Sequence, residues 1–309
     1  MALPPALTRL LAQAAPGTPV LLAGPTGSGK SAVALDIAQA FGGVVVNADA
    51  LQVYDCWQVL TARPDAADCA AVPHLLYGMV GRDDPWSVGH WLRAVAPIVA
   101  AAQAGDGPRP ILTGGTGLYF SALTEGLAEI PPIPDHVRAE AQARLATEGL
   151  AALLADLDPA TRAGIDPANP ARVARAWEVA RATGTGLADW KARTGAPLLP
   201  VGAAVAVALL PDRDWLNPRI DARFAAMLAG GALEEVRALL PKWDAHRPWA
   251  QAIGAAELVS HLRGETTLDA AAAAACTASR RYAKRQRAWV RSRIGRRWTV
   301  LDWPGDSTS

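Results

Sequence analysis

Residues 19–54 read PVLLAGPTGSGKSAVALDIAQAFGGVVVNADALQVY, and this stretch decides the fold class. Residues 24–31 match the phosphate-binding pattern G-x-x-x-x-G-K-[ST] in full, between an apolar run and a segment with helical spacing. The loop consists of Gly24, Pro25, Thr26, Gly27, Ser28, Gly29, Lys30 and Ser31. A strand, a glycine-rich loop and a helix in this order predict a di- or triphosphate site formed by backbone N–H groups and the lysine cation. The Ser31 hydroxyl is the candidate ligand for Mg²⁺.

Further apolar runs occur at 42–49 (GGVVVNAD), 109–120 (RPILTGGTGLYF) and 201–214 (VGAAVAVALLPDRD), separated by helical segments. Continuous Val/Ile/Leu runs of this kind are typical of parallel strands that are covered on both faces. We therefore predict an α/β protein with a P-loop NTPase-like parallel sheet core. Residues 121–197 have helical periodicity and few strand signals, which predicts a helical insertion. The core then comprises 1–120 and 198–309, with a helical C-terminal region.

The composition restricts the class of protein. The 309 residues are 51% hydrophobic and 19% charged, which is typical of a globular protein, and the net charge is +1. No apolar run is long enough to span a bilayer, and the N-terminus lacks the pattern of a secretory signal. Three cysteines lie far apart without a C-x-x-C pair, which favours free thiols in a reducing compartment. We expect a cytoplasmic protein that does not bind membranes.

The charge is distributed unevenly along the chain. Nine basic residues and no acidic residue lie between Arg280 and Arg297, so the rest of the chain is net acidic. Arg280, Lys284, Arg287 and Arg291 recur at the spacing of one helix face. A basic stripe without interleaved anions predicts a face that binds a polyanion such as RNA. A solvated helix face would have the same pattern.

The identity of the phosphate compound depends on the neighbouring strands. The run ILTGGTG ends without a carboxylate, which argues against a nucleotide-hydrolysing motor or switch. The acid lies instead at Asp49, where the run VVVNAD ends. A carboxylate there suits proton abstraction from a nucleophile or metal binding. It could also cap a following helix.

Several blocks in a fixed order resemble one family, the bacterial tRNA dimethylallyltransferases (tRNA isopentenyltransferases). The resemblance extends from Val20 to about Arg293. The blocks are GPTGSGKS, NADALQVY with LTARP, VPHLLYG, ILTGGTGLYFSAL, DPANPARVARAWEVARATG, DRDWLNPRIDARFAAMLAGGALEEV and RRYAKRQRAW. Four departures stand out: Ala50 replaces a serine, Arg63 a lysine, Leu75 a histidine, and Ala255-Ala256 a tyrosine-lysine pair.

The resemblance implies a function and a set of site residues. The protein would transfer a dimethylallyl group from dimethylallyl diphosphate to N6 of the adenosine 3′-adjacent to the anticodon. Residues 24–31 would hold the diphosphate with Mg²⁺ at Ser31, Asp49 would act as general base, and Gln52 would bind the flipped base. The implied catalytic residues are Asp49, Thr26, Lys30 and Arg213. The implied tRNA contacts are Asp49, Ala50, Leu51, Gln52, Thr116, Arg138, Arg172, Val173, Ala174, Arg175, Arg281, Lys284 and Arg285.

The partners implied are the tRNA anticodon stem-loop and dimethylallyl diphosphate, and we expect a monomer because no segment is typical of a dimer interface. Three different functions share part of the pattern. A small-molecule kinase shares the loop and the acid at a strand end, but the basic C-terminal tract does not suit it. A non-catalytic RNA-binding protein that uses nucleotide only to fold is the second. A transferase that acts on free adenine nucleotides is the third, although it would need neither the helical insertion nor the basic tract.

Overall fold

A computed structural model of the chain describes residues 3–294 and 296–303. It contains a sheet whose strands are β1 (Val20–Ala23), β2 (Val44–Asn47), β3 (His74–Leu75), β4 (Pro110–Gly114), β5 (Val205–Leu209) and β6 (Thr299–Leu301). The spatial order is β3-β2-β4-β1-β5-β6, and each neighbouring pair runs parallel. Strands β1, β2 and β4 are buried along their whole length. The predicted parallel α/β core is confirmed.

The helices lie between and after these strands. Those before residue 126 are α1 (Pro5–Gln13), α2 (Lys30–Phe41), α3 (Ala66–Ala71), α4 (Val88–Ala104) and α5 (Gly117–Glu125). The next group is α6 (Asp135–Thr147), α7 (Leu150–Ala155), α8 (Pro159–Ala163), α9 (Pro170–Thr183) and α10 (Leu187–Ala192). The last are α11 (Arg213–Ala229), α12 (Ala232–Leu239), α13 (Ala255–Leu262) and α14 (Leu268–Trp289). Short 3₁₀ turns cover Val201–Ala203, Leu240–Lys242 and Pro248–Gln251, and a π-helical turn covers Val290–Ile294.

The chain divides into two compact units. One contains the residues up to Thr124 together with those from Leu199 onwards, and the other is Glu125–Leu198. The insertion was predicted to begin at residue 121, but Ala122, Leu123 and Thr124 are buried parts of α5 in the sheet unit. The sheet unit carries the phosphate-binding loop, and the second unit is entirely helical.

The sheet unit contains two large apolar clusters. One cluster packs Leu22, Val33 and Ile37 beneath the sheet. A second cluster, under α11 to α14, contains Trp57 and Trp249, whose rings lie 6.0 Å apart. The indole of Trp57 donates a hydrogen bond of 2.9 Å to the carbonyl of Trp249. The segment after β2 is thereby fixed to the C-terminal helices.

The helical insertion has its own core. Val137, Leu153, Val173 and Trp177 are among the buried residues that α6, α7 and α9 contribute to it. The Trp177 indole donates to the Asp156 carboxylate at 3.0 Å. These contacts give the insertion an independent hydrophobic interior.

Candidate active site

The loop between β1 and α2 forms an anion cradle. Gly27 and Gly29 have φ of +80° and +83°, a backbone conformation that favours glycine. The Ser28 N–H donates to the Pro25 carbonyl at 3.2 Å, and the ammonium of Lys30 donates to the same carbonyl at 3.3 Å. Helix α2 begins at Lys30, so its N-terminal N–H groups and its dipole are directed at the loop.

Asp49 follows the carboxyl end of β2 and is held by a buried amide. The Asn47 side chain accepts from the Asp49 N–H at 2.8 Å and donates to the carbonyls of Asp49 and Leu76 at 3.0 Å. The indole of Trp91 fixes Asn47 in turn by donating to its carbonyl at 2.8 Å. The Asp49 backbone therefore has a defined position at the edge of the sheet.

The carboxylate of Asp49 does not cap a helix. Its Oδ1 accepts from the Leu51 N–H at 2.9 Å, and the residues that follow form turns. The Oδ2 atom makes no hydrogen bond with the described residues, so it is available to a ligand. The Thr116 hydroxyl accepts from the Ala50 N–H at 3.0 Å. Thr116 therefore positions the segment that carries the acid.

Gln52 has a fixed amide orientation. Its Nε2 donates to the carbonyls of Thr61 and Ala62, both at 2.9 Å. Ala62 has a φ of +48°, a strained value for a residue with a side chain. Because the two donors of Gln52 are used, the group left for a ligand is the carbonyl oxygen Oε1, which can only accept a hydrogen bond.

These elements surround a cavity of about 360 Å³ in the sheet unit. One group of its walls is polar and cationic, and another is apolar. The polar walls include Thr26, Lys30, Ser31, Asp49, Gln52, Thr113, Arg223, Tyr282, Arg285 and Gln286. The apolar walls include Leu51, Leu60, Ile220, Phe224, Met227, Ala252 and Ile253. A ligand with an anionic group and a short hydrocarbon group matches this division.

The cations at the cavity influence each other. The pKa of Lys30 is lowered to about 8, because burial lowers it strongly, the Asp49 carboxylate raises it in part, and the Arg223 cation lowers it again. Arg223 has an exposed side chain, but the surrounding protein removes part of its hydration and thereby lowers its pKa. The nearby Asp49 carboxylate raises that pKa in part. Two cations that share one nearby carboxylate leave a net positive charge, which favours an incoming diphosphate.

The oxygen atoms at the cradle fit a hard cation. Ser31 and Thr113 contribute hydroxyl groups to the cavity and Asp49 contributes a carboxylate, which are the donor types that Mg²⁺ prefers. The Thr113 hydroxyl is buried and has no hydrogen-bond partner among the described residues. No group of three His, Cys, Asp or Glu side chains converges within the part of the chain described. A magnesium ion here would therefore take most of its ligands from a bound phosphate compound and from water.

Two protein-family models match the sequence. One, described as IPP transferase, matches residues 52–293, and the other, described as Isopentenyl transferase, matches residues 18–74. The first match covers more than half of the chain.

The chain belongs to the IPP transferase family.

Individual relatives agree with this assignment. A tRNA dimethylallyltransferase from Cereibacter sphaeroides strain KD131 is 62% identical over 286 residues, which cover 93% of this chain and 89% of that protein. The tRNA dimethylallyltransferase of Dinoroseobacter shibae is 58% identical over 292 residues, which cover 94% of this chain and 96% of that protein. The resemblance inferred from the motifs is therefore confirmed.

Solved structures share the fold. The tRNA isopentenylpyrophosphate transferase of Bacillus halodurans superposes with a TM-score of 0.66 at 30% identity, over 93% of this chain and 90% of that chain. A eukaryotic dimethylallyltransferase acting on tRNA superposes with a TM-score of 0.77 at 23% identity, over 92% and 73% of the two chains. At that identity the second comparison establishes the fold alone.

Arg213 does not reach the cavity of this IPP transferase. Its side chain is 76% exposed at the start of α11, and its Nε lies 3.9 Å from a carboxylate oxygen of Asp214. Arg223, ten residues later on the same helix, lines the cavity instead. Arg213 was expected to be a catalytic residue, but in this structure it lies outside the cavity lining, to which α11 contributes Arg223.

A sequence signal for Arg223 existed. Ile220, Arg223, Phe224 and Met227 recur at i, i+3, i+4 and i+7, so they share one face of α11, and all four line the cavity. An arginine within an apolar helical stripe is unusual unless it meets an anion. Tyr282 and Gln286 of α14 are further cavity residues that the motif comparison did not single out as site residues.

Two of the predicted tRNA contacts in the insertion are buried. Val173 and Ala174 are 0% and 4% exposed in the core of the helical unit, so a contact with RNA through their side chains does not fit this structure. The adjacent Arg172 and Arg175 are exposed on the same helix, as is Arg138 on α6. Arg175 lies 3.6 Å from the Glu178 carboxylate, and Arg138 lies 3.1 Å from Asp135.

The basic C-terminal tract forms an exposed face. Arg281, Lys284 and Arg285 are exposed on α14. Arg280 pairs with Asp221 at 2.6 Å, so it is partly neutralised. The continuation of the tract reaches Arg291 in the π-helical turn, and a second cleft of about 550 Å³ runs along Arg213, Arg287 and Arg291.

The departures from the family pattern have simple structural settings. His74 Nδ1 lies 2.8 Å from the Val72 carbonyl oxygen, as in a hydrogen-bonded structural histidine, and Leu75 is 37% exposed. Ala255 is buried at the start of α13.

Among the described residues, no helix is long and apolar enough to cross a membrane.

Proposed function

We propose that this protein transfers a dimethylallyl group from dimethylallyl diphosphate to the exocyclic N6 of the adenosine 3′-adjacent to the anticodon of tRNA, and releases diphosphate. The observation that carries the proposal is the cavity whose walls combine the anion cradle, the Asp49 carboxylate and an apolar region. The curated relatives described above are named tRNA dimethylallyltransferases.

The cavity suits an allylic diphosphate better than a nucleoside triphosphate. The cradle residues Thr26 to Ser31 and the cation of Arg223 would hold the diphosphate. Leu60, Phe224 and Met227 would bury the five-carbon chain, which gains about 0.8 kcal/mol for each CH₂ group removed from water.

The chemistry requires stabilisation of a leaving group and removal of a proton. The allylic C–O bond breaks and its electron pair departs with the diphosphate, whose added charge Lys30 and Arg223 stabilise. The N6 lone pair forms the new C–N bond. Asp49 Oδ2 takes the N6 proton, because its other oxygen is held by the Leu51 N–H.

Mg²⁺ is part of the proposal. When bound, the ion would neutralise charge on the diphosphate. Ser31 would hold it, and Thr113 would contribute the second hydroxyl at the cavity wall. Both hydroxyls lie on rigid elements, the first turn of α2 and the end of β4.

The RNA contacts follow from exposure and hydrogen-bonding capacity. The target base leaves its stack, which costs least in a single-stranded loop. Gln52 Oε1 would accept a hydrogen bond from the adenine amino group. Arg281, Lys284 and Arg285 would bind RNA phosphates, and Arg138, Arg172 and Arg175 are the candidates in the insertion.

The test is direct measurement of product. Purified protein is incubated with Mg²⁺, labelled dimethylallyl diphosphate and tRNA with adenosine 3′ of the anticodon, and nucleosides are identified by mass spectrometry. Asp49→Asn should reduce the rate at least about 10²-fold, while the exposed control Asp55→Asn should retain it. Labelling of free adenine nucleotides instead of tRNA, or no labelling at all, would overturn the proposal.

A thermal-shift comparison distinguishes the transferase from a kinase. Dimethylallyl diphosphate should raise the unfolding temperature more than ATP does at the same concentration. A larger shift with ATP would favour a kinase. We also propose that the protein is a cytoplasmic monomer. Light scattering after size-exclusion chromatography tests the oligomeric state, and cell fractionation tests the compartment.

A further inference from the structure

Gln286 on α14 connects two loops of the candidate active site. Its side chain is 7% exposed. Its Oε1 accepts from the Thr26 N–H of the cradle at 2.9 Å, and its Nε2 donates to the Gly115 carbonyl after β4 at 2.9 Å. One amide therefore joins the phosphate-binding loop to the neighbouring strand end through a helix more than 150 residues away in sequence.

The loop after β4 is shaped to receive α14. A Cβ atom at Gly115 would lie 2.0 Å from Gln286 Nε2, and a Cβ atom at Gly117 would lie 2.4 Å from Trp289 Cε2. A side chain at Gly115 would displace the Gln286 amide, and one at Gly117 would displace the Trp289 ring. The GGTG sequence and the α14 residues thus fit each other at van der Waals distance.

The same helix also reaches the segment that carries Asp49. Tyr282, one turn before Gln286, lines the same cavity as Gln286 and Asp49. The Thr116 hydroxyl accepts from the Ala50 N–H, next to Asp49. Gln286 therefore bonds to the cradle at Thr26 and to Gly115, and the next residue, Thr116, bonds to the segment that carries Asp49.

Helix α14 also carries exposed cations. Arg281 and Lys284 are exposed outside the cavity lining, and Arg285 is exposed at the cavity wall beside Tyr282 and Gln286. We propose that Gln286 is a positioning residue through which RNA bound to α14 and diphosphate bound to the cradle raise each other's affinity. This inference rests on the proposed function, because it requires both ligands.

The physical basis is preorganisation. RNA phosphates on the exposed cations restrain α14, and Gln286 then holds Thr26 and Gly115 in the arrangement that the diphosphate needs. The second ligand loses less conformational freedom when the first has already ordered the helix. Thermodynamic linkage requires the effect to be equal in both directions.

The experiment measures binding without turnover. Isothermal titration gives the Kd of an unreactive thiolodiphosphate analogue of dimethylallyl diphosphate, with and without a saturating anticodon stem-loop RNA. For the wild type we expect RNA to lower the analogue Kd at least about fivefold, and the analogue to lower the RNA Kd by the same factor. In Gln286→Met the ratio should fall to about 1, with the RNA Kd in the absence of analogue within about twofold of wild type.

Two variants and one further measurement distinguish positioning from a general structural role. Gln286→Glu keeps an acceptor for Thr26 but loses the donor to Gly115, and we expect an intermediate ratio. Arg281→Ala should weaken RNA binding yet keep the wild-type ratio when RNA is saturating. If the Gln286 variants do not fold, hydrogen exchange on the wild type is used, and RNA should slow exchange of the amides in residues 24–31.

The outcomes separate the two claims. A wild type that binds RNA and analogue without mutual effect overturns the inference and leaves the proposed function standing. A folded Gln286→Met protein that retains the full ratio also overturns it, as does unchanged exchange in residues 24–31. A wild type that binds neither ligand refutes the proposed function, and the inference with it.

Discussion

The two arginines of α11 provide the sharpest test of how the leaving group is stabilised. Arg223 lines the cavity with Lys30 and Asp49, whereas Arg213 is 76% exposed at the start of the helix. Arg223→Gln and Arg213→Gln therefore remove the same charge from two positions on one helix. The first should slow the chemical step strongly, and the second should not.

The magnitude follows from the charge that develops as the allylic C–O bond breaks. One unit of new negative charge at roughly 5 Å from a cation, at an effective dielectric constant of about 20, is stabilised by about 3 kcal/mol. That energy corresponds to a factor of about 10² in rate. Removing one donor to a developing oxyanion costs about 10²–10³ in kcat in comparable sites. An exposed guanidinium such as Arg213 should change kcat less than about threefold.

The assay is single-turnover transfer of labelled dimethylallyl to an anticodon stem-loop, with enzyme in excess so that product release is not measured. Arg223→Lys should recover part of the rate, since it keeps the cation and loses the planar fork. Unfolding temperatures of the variants check that each protein is intact. If Arg213→Gln loses more than about thirtyfold while Arg223→Gln stays within about threefold, the geometric assignment is refuted.

Three further predictions concern charge and packing. The affinity of the protein for Mg²⁺-free diphosphate should fall about tenfold between pH 7 and pH 9, because Lys30 loses its proton near pH 8. Titration calorimetry should show no such fall in Lys30→Arg, which keeps its charge over this range. An equal loss of affinity in both proteins would contradict the role given to Lys30. Replacing Lys284 or Arg285 by alanine should each reduce the slope of log K for RNA binding against log salt concentration by about 0.7. The control Arg237→Ala should leave the slope unchanged, because Arg237 is paired with Glu234 at 3.3 Å. Gly115→Ala should lower the unfolding temperature, because its Cβ would lie 2.0 Å from Gln286 Nε2 and would displace that amide from its hydrogen bonds. An unchanged transition in calorimetry would show that those hydrogen bonds do not stabilise the fold.

The parts of the fold that local patterns determine could be predicted. The phosphate-binding loop and strands β1, β2, β4 and β5 are recognisable because apolar runs and glycine spacing are properties of neighbouring residues. Strands β3 and β6 were missed because they contain two and three residues, and their strand conformation depends on pairing with β2 and β5. Trp303, in a segment that has the composition of a frayed end, is 8% exposed against the core beneath the sheet.

The site could be predicted as a set of segments but not residue by residue. A contiguous stretch at 172–175 alternates between exposed arginines and the buried Val173 and Ala174, because a helix turns successive residues in different directions. Helical periodicity would have placed those two side chains in the core. The contacts of Gln286 had no such signal, because they join residues separated by 171 and 260 positions.

The most informative difference from a nucleotide-hydrolysing protein lies at the end of β4. This strand neighbours β1 and therefore the cradle, and its position Thr113 carries a hydroxyl where a carboxylate would assist metal-dependent attack on a phosphate. The acid occurs instead at Asp49 after β2, the strand on the far side of β4. An acid displaced by one strand cannot serve the phosphate in the same way, but it can accept a proton from a nucleophile that attacks carbon. In the proposed function, the phosphate-binding loop would therefore hold a diphosphate leaving group, and the apolar walls contributed by α11 would bind the hydrocarbon group that is transferred.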